Sequence, residues 1–260
     1  MKIYFFKYQG TGNDFIMLDI RKKKIPEEDP SFFPKLCNRN FGIGADGIIL
    51  IKNDCKSDFY MKYYNSNGKE STMCGNGGRC AVSFSKKLGI TKKNKIFFRA
   101  IDGNHYGIIQ DKEMISINLI DIEVDTIKIH QKYVFLNTGS PHHVIFVKNI
   151  KKIDVYKKGR KIRFHRGVNV NFVEVLGKNT LKVRTYERGV ENETLSCGTG
   201  VTASVIAAYE TGALSFNNGI FLVYTLGGKL WVSFQKIQNR YENIYLTGSV
   251  KFIFEGWINI

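Results

Sequence analysis

The sequence predicts an α/β fold of two similar halves, each a strongly curved sheet around one central helix. Three observations carry this. Glycine is frequent, at 25 residues, and proline scarce, at 4, as in a compact, strand-rich chain with many tight turns. Short β-like segments recur between turn signals. An eight-residue pattern, Glu-x-x-x-Cys-Gly-x-Gly, occurs twice, as Glu70-Ser-Thr-Met-Cys74-Gly75-Asn76-Gly77 and Glu193-Thr-Leu-Ser-Cys197-Gly198-Thr199-Gly200. Such self-similarity in matching contexts marks a repeated unit.

In the first half, Met1-Lys2-Ile3-Tyr4-Phe5-Phe6-Lys7 is too short an apolar run for a signal peptide. Residues 32–37 read as a short helix, and Gly42-Ile-Gly-Ala-Asp-Gly47 leads into an apolar strand. Residues 59–65 read as a strand before the first cysteine motif. After it, Ala81, Phe84 and Leu88 fall at i, i+3 and i+7, a one-face helical stripe. Gly89 then stands where a left-handed C-terminal cap belongs. Residues 96–100, 105–109 and 115–119 are β-like, with Asp102-Gly103 as a turn. Polar Asp121-Ile-Glu-Val-Asp125 marks the boundary, so the N-terminal lobe is expected over 1–125 and the C-terminal lobe over 126–248.

The second half repeats the plan. Residues 134–138 and 144–147 read as strands and 155–162 as a helix. Gly167-Val-Asn-Val-Asn-Phe-Val-Glu-Val175 sits where Gly42 to Leu50 sits in the first half. A strand over 181–186 precedes the second motif. Val201, Val205 and Ala208 then form another one-face stripe, ending at Gly212. Strands over 221–225 and 230–234 follow, with turns at Asn218-Gly219 and Gly227-Gly228.

Hydrophobic residues make up 43% of the chain and charged residues 24%, ordinary for a packed soluble protein. Lysine and arginine number 39 against 23 acidic residues, a formal charge of +16. Such an excess can mark a nucleic-acid binder. Here the lysines spread from Lys2 to Lys251, and the runs Lys22-Lys23-Lys24 and Lys92-Lys93 read as solvated loops, so no nucleic-acid partner is expected. No stretch reaches the roughly 20 apolar residues of a spanning helix, and no membrane partner is expected. Five cysteines, an odd number without CxxC, do not form a secreted disulfide framework; the expectation is a cytoplasmic protein.

Two glycine motifs invite a dinucleotide reading and fail it. Gly42-x-Gly44-x-x-Gly47 precedes a strand, so no helix end meets the phosphate. Gly198-x-Gly200-x-x-Ala203 opens a helix, but no acidic residue follows about 20 positions on for the ribose; that neighbourhood is Asn217-Asn218-Gly219. No P-loop or HExxH occurs. His142 and His143 are adjacent and face opposite sides of a strand, so no metal is expected.

The paired cysteines carry the chemistry. Cys74 and Cys197 each stand at a predicted helix start, before glycines that leave backbone N–H groups exposed. The dipole places partial positive charge there, and a thiol in such a place falls from about 8.5 towards 3.5–7.5. The same N–H groups suit a substrate carboxylate. A thiolate taking an α-proton and a thiol returning one to the opposite face would invert a stereocentre. Cys37, Cys55 and Cys80 read instead as buried structural cysteines.

With these residues in view, the chain resembles the diaminopimelate epimerase family. The matches are Lys7-Tyr-Gln-Gly-Thr-Gly-Asn13-Asp-Phe15, Gly42-Ile-Gly-Ala-Asp-Gly47, Tyr64-Asn65-Ser-Asn-Gly68, Met73-Cys-Gly-Asn-Gly-Gly-Arg-Cys80, Ser140-Pro-His142, Val168-Asn169-Val170, Tyr186-Glu-Arg-Gly189 and Ser196-Cys-Gly-Thr-Gly200. The resemblance implies interconversion of LL- and meso-diaminopimelate, in lysine and peptidoglycan precursor synthesis, without pyridoxal phosphate or another cofactor. It implies two pseudo-symmetric lobes, each a barrel-like, mostly antiparallel sheet around a central helix, with a last strand (residues 249–260) returning to the first lobe, and a homodimer. Carried over by position, Cys74 and Cys197 are the acid/base pair. Gly75, Asn76, Gly198 and Thr199 meet the reacting carboxylate. Asn13, Asn65, Asn169, Glu187 and Arg188 bind the substrate, mainly its distal end, and His142 and Glu187 tune the thiols. The family usually has Asn-Pro-His where this chain has Ser140-Pro141-His142; serine is shorter and lacks the amide, so a lost or water-mediated contact is expected there.

Two other functions remain open on sequence alone. A related racemase of a small amino acid such as proline would leave Asn13 and the Tyr186-Glu-Arg-Gly189 segment without a distal group to hold. A basic nucleic-acid-binding protein would bind in a strongly salt-dependent way, but gives no role to two matched cysteines.

Overall fold

The computed structural model describes residues 1–215 and 219–260. The chain divides into two compact units, Met1–Ile117 with Gly248–Ile260, and Asn118–Thr247. It is mixed α/β, mostly sheet with four α-helices among the described residues.

The first unit opens with β1 (Lys2–Gly10) and β2 (Asn13–Asp19), an antiparallel pair. Helix α1 (Phe32–Cys37) crosses to β3 (Gly47–Lys52), which is parallel to β2. β4 (Phe59–Asn65) returns antiparallel, with the two-residue β5 (Glu70–Ser71) on its end. Helix α2 (Gly75–Lys87) then crosses to β6 (Lys95–Ala100), parallel to β4. β7 (Gly103–Ile109) and β8 (Met114–Asn118) follow as antiparallel neighbours.

The second unit begins with short β9 (Ile122–Glu123) and β10 (Lys128–Ile129). It then repeats the same pairings. β11 (Val134–Asn137) is antiparallel to β12 (Pro141–Phe146), and helix α3 (Val155–Arg166) leads to β13 (Asn169–Gly177), parallel to β12. β14 (Thr180–Glu187) carries β15 (Asn192–Thr194). Helix α4 (Gly198–Glu210) leads to β16 (Ile220–Thr225), parallel to β14, and then β17 (Gly228–Ile237). β18 (Arg240–Asn259) supplies Arg240 and Tyr241 as partners of β9, and Val250 to Asn259 as partners of β1. Because β18 also pairs with β8, the strands β1-β2-β3-β4-β6-β7-β8-β18 close a ring around α2.

Both central helices are buried on every side rather than along one stripe. From Gly198 to Ala208, only Thr199 lies outside the buried set of α4, and α2 buries Gly75 through Val82 with Phe84 and Ser85. A helix enclosed by a curved sheet has no solvent face, so the expected one-face pattern gives way to small and apolar residues all round in α4, and in α2 to small residues with Asn76 and Arg79 buried among them. Gly89 and Gly212, at φ 67° and 71°, end the two helices as left-handed residues. The predicted helix from 155 runs four residues further than its apolar pattern, to the left-handed cap Gly167, and starts on Asp154, whose side chain accepts the Lys157 N–H at 2.9 Å. The other predicted strands match β4, β6–β8, β11, β12, β14, β16 and β17 within a few residues. Of the Asn218-Gly219 turn, Asn218 lies outside the described residues. One cysteine departs from expectation: Cys37 and Cys80 are buried, but Cys55 is exposed on the β3–β4 loop.

Candidate active site

Cys74 and Cys197 occupy the same place in their units. Each is the extended residue just before its helix, Cys74 at φ −86°, ψ 129° and Cys197 at φ −123°, ψ 109°. Their carbonyls take the first helical bonds, from the Gly78 N–H at 2.6 Å and the Val201 N–H at 2.9 Å. The amides of Gly75-Asn76-Gly77 and Gly198-Thr199-Gly200 therefore have no acceptor within their own helix. No acidic residue stands in either first turn, so the positive end of each dipole is undiluted. Each unit thus presents a thiol beside a ready anion site.

In the first unit, Asn13 begins β2 and its side chain reaches Cys74. Asn13 Nδ2 donates to Asp46 Oδ2 at 2.6 Å, which turns Asn13 Oδ1 towards Cys74 Sγ at 3.7 Å and Asn76 Nδ2 at 3.5 Å. Asp46 belongs to a charged cluster. Arg39 bridges Asp14 and Asp46 at 2.8 Å each, and Lys7 pairs with Asp14 at 2.8 Å. Burial alone would raise the Asp14 carboxyl, but Arg39 and Lys7 hold it down at about 2. Arg79, on α2, is wholly buried and faces no carboxylate. It donates to Asn76 Oδ1 at 2.8 Å, Thr11 Oγ1 at 2.9 Å and Gly75 O at 3.3 Å, and burial pulls it down to about 10. Asn76 is thereby held with its Nδ2 towards Asn13. Asn65 ends β4, where its Oδ1 accepts the Tyr63 hydroxyl at 2.9 Å. The Ser66 N–H donates to Asp46 O at 3.1 Å, so Asn65 adjoins the segment that orients Asn13. The segment bearing Cys74 is fastened too: Asp102 accepts the Met73 N–H at 3.2 Å and lies 3.2 Å from His105 Nε2.

In the second unit, Ser140, His142, Asn169, Thr199 and Cys197 form one contact network. His142 is fully buried, and burial, with the Arg188 charge, drives it down to about 3. Its Nε2 lies 2.9 Å from Ser140 Oγ and 3.0 Å from Thr199 Oγ1, which is 3.5 Å from Cys197 Sγ. The short Ser140 side chain reaches His142, Thr199 and Asn169 directly. Asn169 Oδ1 accepts the Arg188 N–H at 2.8 Å. Glu187 ends β14 half-buried, and the exposed Arg188 follows, its Nη1 donating to Gly167 O at 3.2 Å. His143 points the other way, against the Tyr133 ring at 4.0 Å, as adjacent strand positions require. Among the described residues no group of three His, Cys, Asp or Glu is placed to hold a metal ion.

Three residues of this region were not singled out from the sequence: Asp46, Arg79 and Asn171. Asp46 and Arg79 lie inside glycine motifs already quoted. Asn171 shares a strand face with Asn169, and that alternation was the available signal.

The profile of the family described as diaminopimelate epimerase matches residues 5–118 and 134–253. Diaminopimelate epimerase of Flavobacterium psychrophilum is 52% identical over 99% of this chain and 100% of that one. That of Aquifex aeolicus is 39% identical over 97% and 96%. Among solved structures, a Bacillus anthracis phenazine biosynthesis protein of the PhzF family superposes with a TM-score of 0.75 at 14% identity, covering 100% of both chains. A hydroxyproline epimerase from Agrobacterium vitis gives 0.74 at 11%, covering 99% and 92%. The last two share the fold; the matched profile and the sequence relatives extend over nearly the whole chain and place it in the diaminopimelate epimerase family.

Proposed function

We propose that this protein interconverts LL- and meso-2,6-diaminopimelate by direct proton transfer between two thiols and the α-carbon, with no cofactor. The observation that carries this reading is the pair of cysteines at equivalent helix N-caps, in a chain 52% identical to a diaminopimelate epimerase. One thiolate removes the α-proton while the other thiol delivers a proton to the opposite face, and the roles exchange in reverse. The carboxylate gains negative charge as the α-proton leaves. The first-turn amides of Gly75, Asn76, Gly198 and Thr199 oppose that charge.

The distal amino acid end of the substrate falls to Asn13, Asn65, Asn169, Glu187 and Arg188. Arg188 offers a fork for a carboxylate and Glu187 an acceptor for an ammonium, while the amides suit both charges of a zwitterion. His142 and Glu187 adjust the thiols. We further propose that the lobes divide functionally near residue 125, each supplying one thiol, and that the enzyme is a cytoplasmic homodimer. No helix among the described residues is long and apolar enough to cross a membrane.

The likeness to a hydroxyproline epimerase gives a second reading, a racemase of a small cyclic amino acid on the same fold. Purified protein in heavy water decides between them. Deuterium entering the α-position of LL-diaminopimelate, with meso product and no exchange into proline or hydroxyproline, supports the first reading. Exchange only into the cyclic amino acids replaces it, and exchange into none sinks both.

A further inference from the structure

We propose that Asn169 and Asn171 fix the direction of a hydrogen-bond chain through Ser140 and His142 that ends with the Thr199 hydroxyl donating to the Cys197 sulfur. This rests on Cys197 being a reacting thiol, but it follows from donor and acceptor accounting within the second unit.

An amide side chain has one accepting oxygen and one donating nitrogen, and a neutral imidazole has one nitrogen of each kind. Asn169 is pinned first. Its Oδ1 accepts the Arg188 backbone N–H at 2.8 Å, and a backbone N–H cannot accept. Asn169 Nδ2 therefore donates to Ser140 Oγ, at 3.1 Å, and to Pro141 O, at 3.3 Å. Asn171, fully buried, is oriented with Oδ1 2.9 Å from the Thr185 hydroxyl, whose proton it accepts, and Nδ2 3.0 Å from His142 Nδ1; a hydroxyl can donate or accept, so this orientation is the part of the proposal that the His142 tautomer tests. It is wedged against the start of α4: a Cβ on Gly200 would lie 2.3 Å from Asn171 Oδ1.

An amide nitrogen only donates, so His142 Nδ1 is bare and the single proton sits on Nε2. Burial keeps the ring from taking a second proton near neutrality. The Nε2–H points at Ser140 Oγ and Thr199 Oγ1, at 2.9 and 3.0 Å. Ser140 Oγ already accepts from Asn169, and its own proton has Thr199 Oγ1, at 3.3 Å, to go to. Protons therefore converge on Thr199 Oγ1 from both amides. The acceptor left for the Thr199 proton among its contacts is Cys197 Sγ, at 3.5 Å. The Thr199 backbone is itself held, because its carbonyl accepts the Thr138 hydroxyl at 2.9 Å. A donated proton stabilises the thiolate over the thiol. The serine at position 140 is integral, since its hydroxyl can accept on one side and donate on the other. Asn171 and Ser140 are thus positioning residues, acting on the sulfur through Thr199.

Two measurements test this without using turnover, so their outcome is separable from that of the proposed reaction. In protein labelled with 15N histidine, the His142 ring should show a protonated Nε2 and a bare Nδ1 at neutral pH. Asn171→Asp, whose carboxylate only accepts, should protonate Nδ1. A wild-type ring already carrying a proton on Nδ1 overturns the proposal, whether or not the variant folds. Second, iodoacetamide labelling of the Cys197 peptide should slow in Thr199→Val and recover in Thr199→Ser. Losing a hydrogen bond to a charged sulfur lowers the acid constant of the thiol about tenfold, and labelling is compared at a pH below the thiol's pKa, where the thiolate fraction falls by the same factor. The stronger nucleophile that results offsets part of this, leaving labelling about three- to fourfold slower. Equal or faster labelling in Thr199→Val, or no recovery in Thr199→Ser, refutes it.

Discussion

Gly159→Ala should destabilise this protein, although glycine to alanine inside a helix ordinarily stabilises by about 1 kcal/mol. Gly159 lies buried on α3, and a Cβ there would stand 2.4 Å from Tyr186 Cβ, 2.8 Å from Cγ and 3.1 Å from Cδ2. Carbon atoms in contact sit about 3.5–4.0 Å apart, so the two elements must part by more than about 1 Å. The Tyr186 ring cannot swing aside, because its hydroxyl donates to Glu191 O at 2.8 Å and the residue is fully buried. The strain falls on the cluster of Ile150, Val155, Val168, Val170, Phe172 and Tyr186. Overpacking of this kind costs up to about 3 kcal/mol; set against the helix gain, the net is about 2 kcal/mol. In a chain of this size that lowers Tm by about 4–8 °C, measurable by calorimetry. Because Tyr186 precedes Glu187 and Arg188, KM for diaminopimelate should rise as well. A variant as stable as wild type, with unchanged KM, would refute the packing argument and the link from α3 to the substrate residues.

Cys74→Ala and Cys197→Ala should each lower epimerase turnover by about a hundredfold or more while leaving circular dichroism and Tm near wild type; retained turnover in either rules out the two-thiol mechanism. Arg79→Met should cut turnover by freeing the Asn76 amide to flip, and Arg79→Lys should restore little, since one ammonium cannot replace a fork; wild-type kinetics in Arg79→Met would remove its orienting role. His142, held near 3 when folded against 6.5 free, binds its proton more readily unfolded. Its contribution is therefore complete above about pH 6.5 and is lost as pH falls towards 3, on the order of 5 kcal/mol in all. Unfolding free energy measured from pH 7 to 4 should fall less steeply in His142→Asn, and an equal slope contradicts this burial.

The repeat, both central helices and most strands were legible in the sequence because their signals are local: a motif, an apolar period, a glycine at a helix end. The paired thiols were legible for the same reason. What escaped depends on distant partners. Asn13 is oriented by Asp46, 33 positions away, and Thr11 is held by Arg79, 68 positions away. Arg79 in a helix of small residues looks like a surface arginine until the sheet closes over it. The partners of Ser140 are distant as well, Thr199 and Asn169 lying 59 and 29 residues on. Strands β1 and β2 were not assigned from pattern, since β1 buries residues on both faces and lacks a clean alternation.

The twenty-residue β18 sets an order on biosynthesis. Its Gly248–Ile260 portion belongs to the first unit, while the second is contiguous from Asn118 to Thr247. During translation the earlier-made lobe cannot close its ring, because the neighbour of β1 is still unmade. The later-made lobe has most of its partners first. Vectorial synthesis usually completes N-terminal domains before those that follow; here the earlier lobe waits for residues 248–260, and a nascent chain stalled before residue 248 would carry β1 as a bare, adhesive edge.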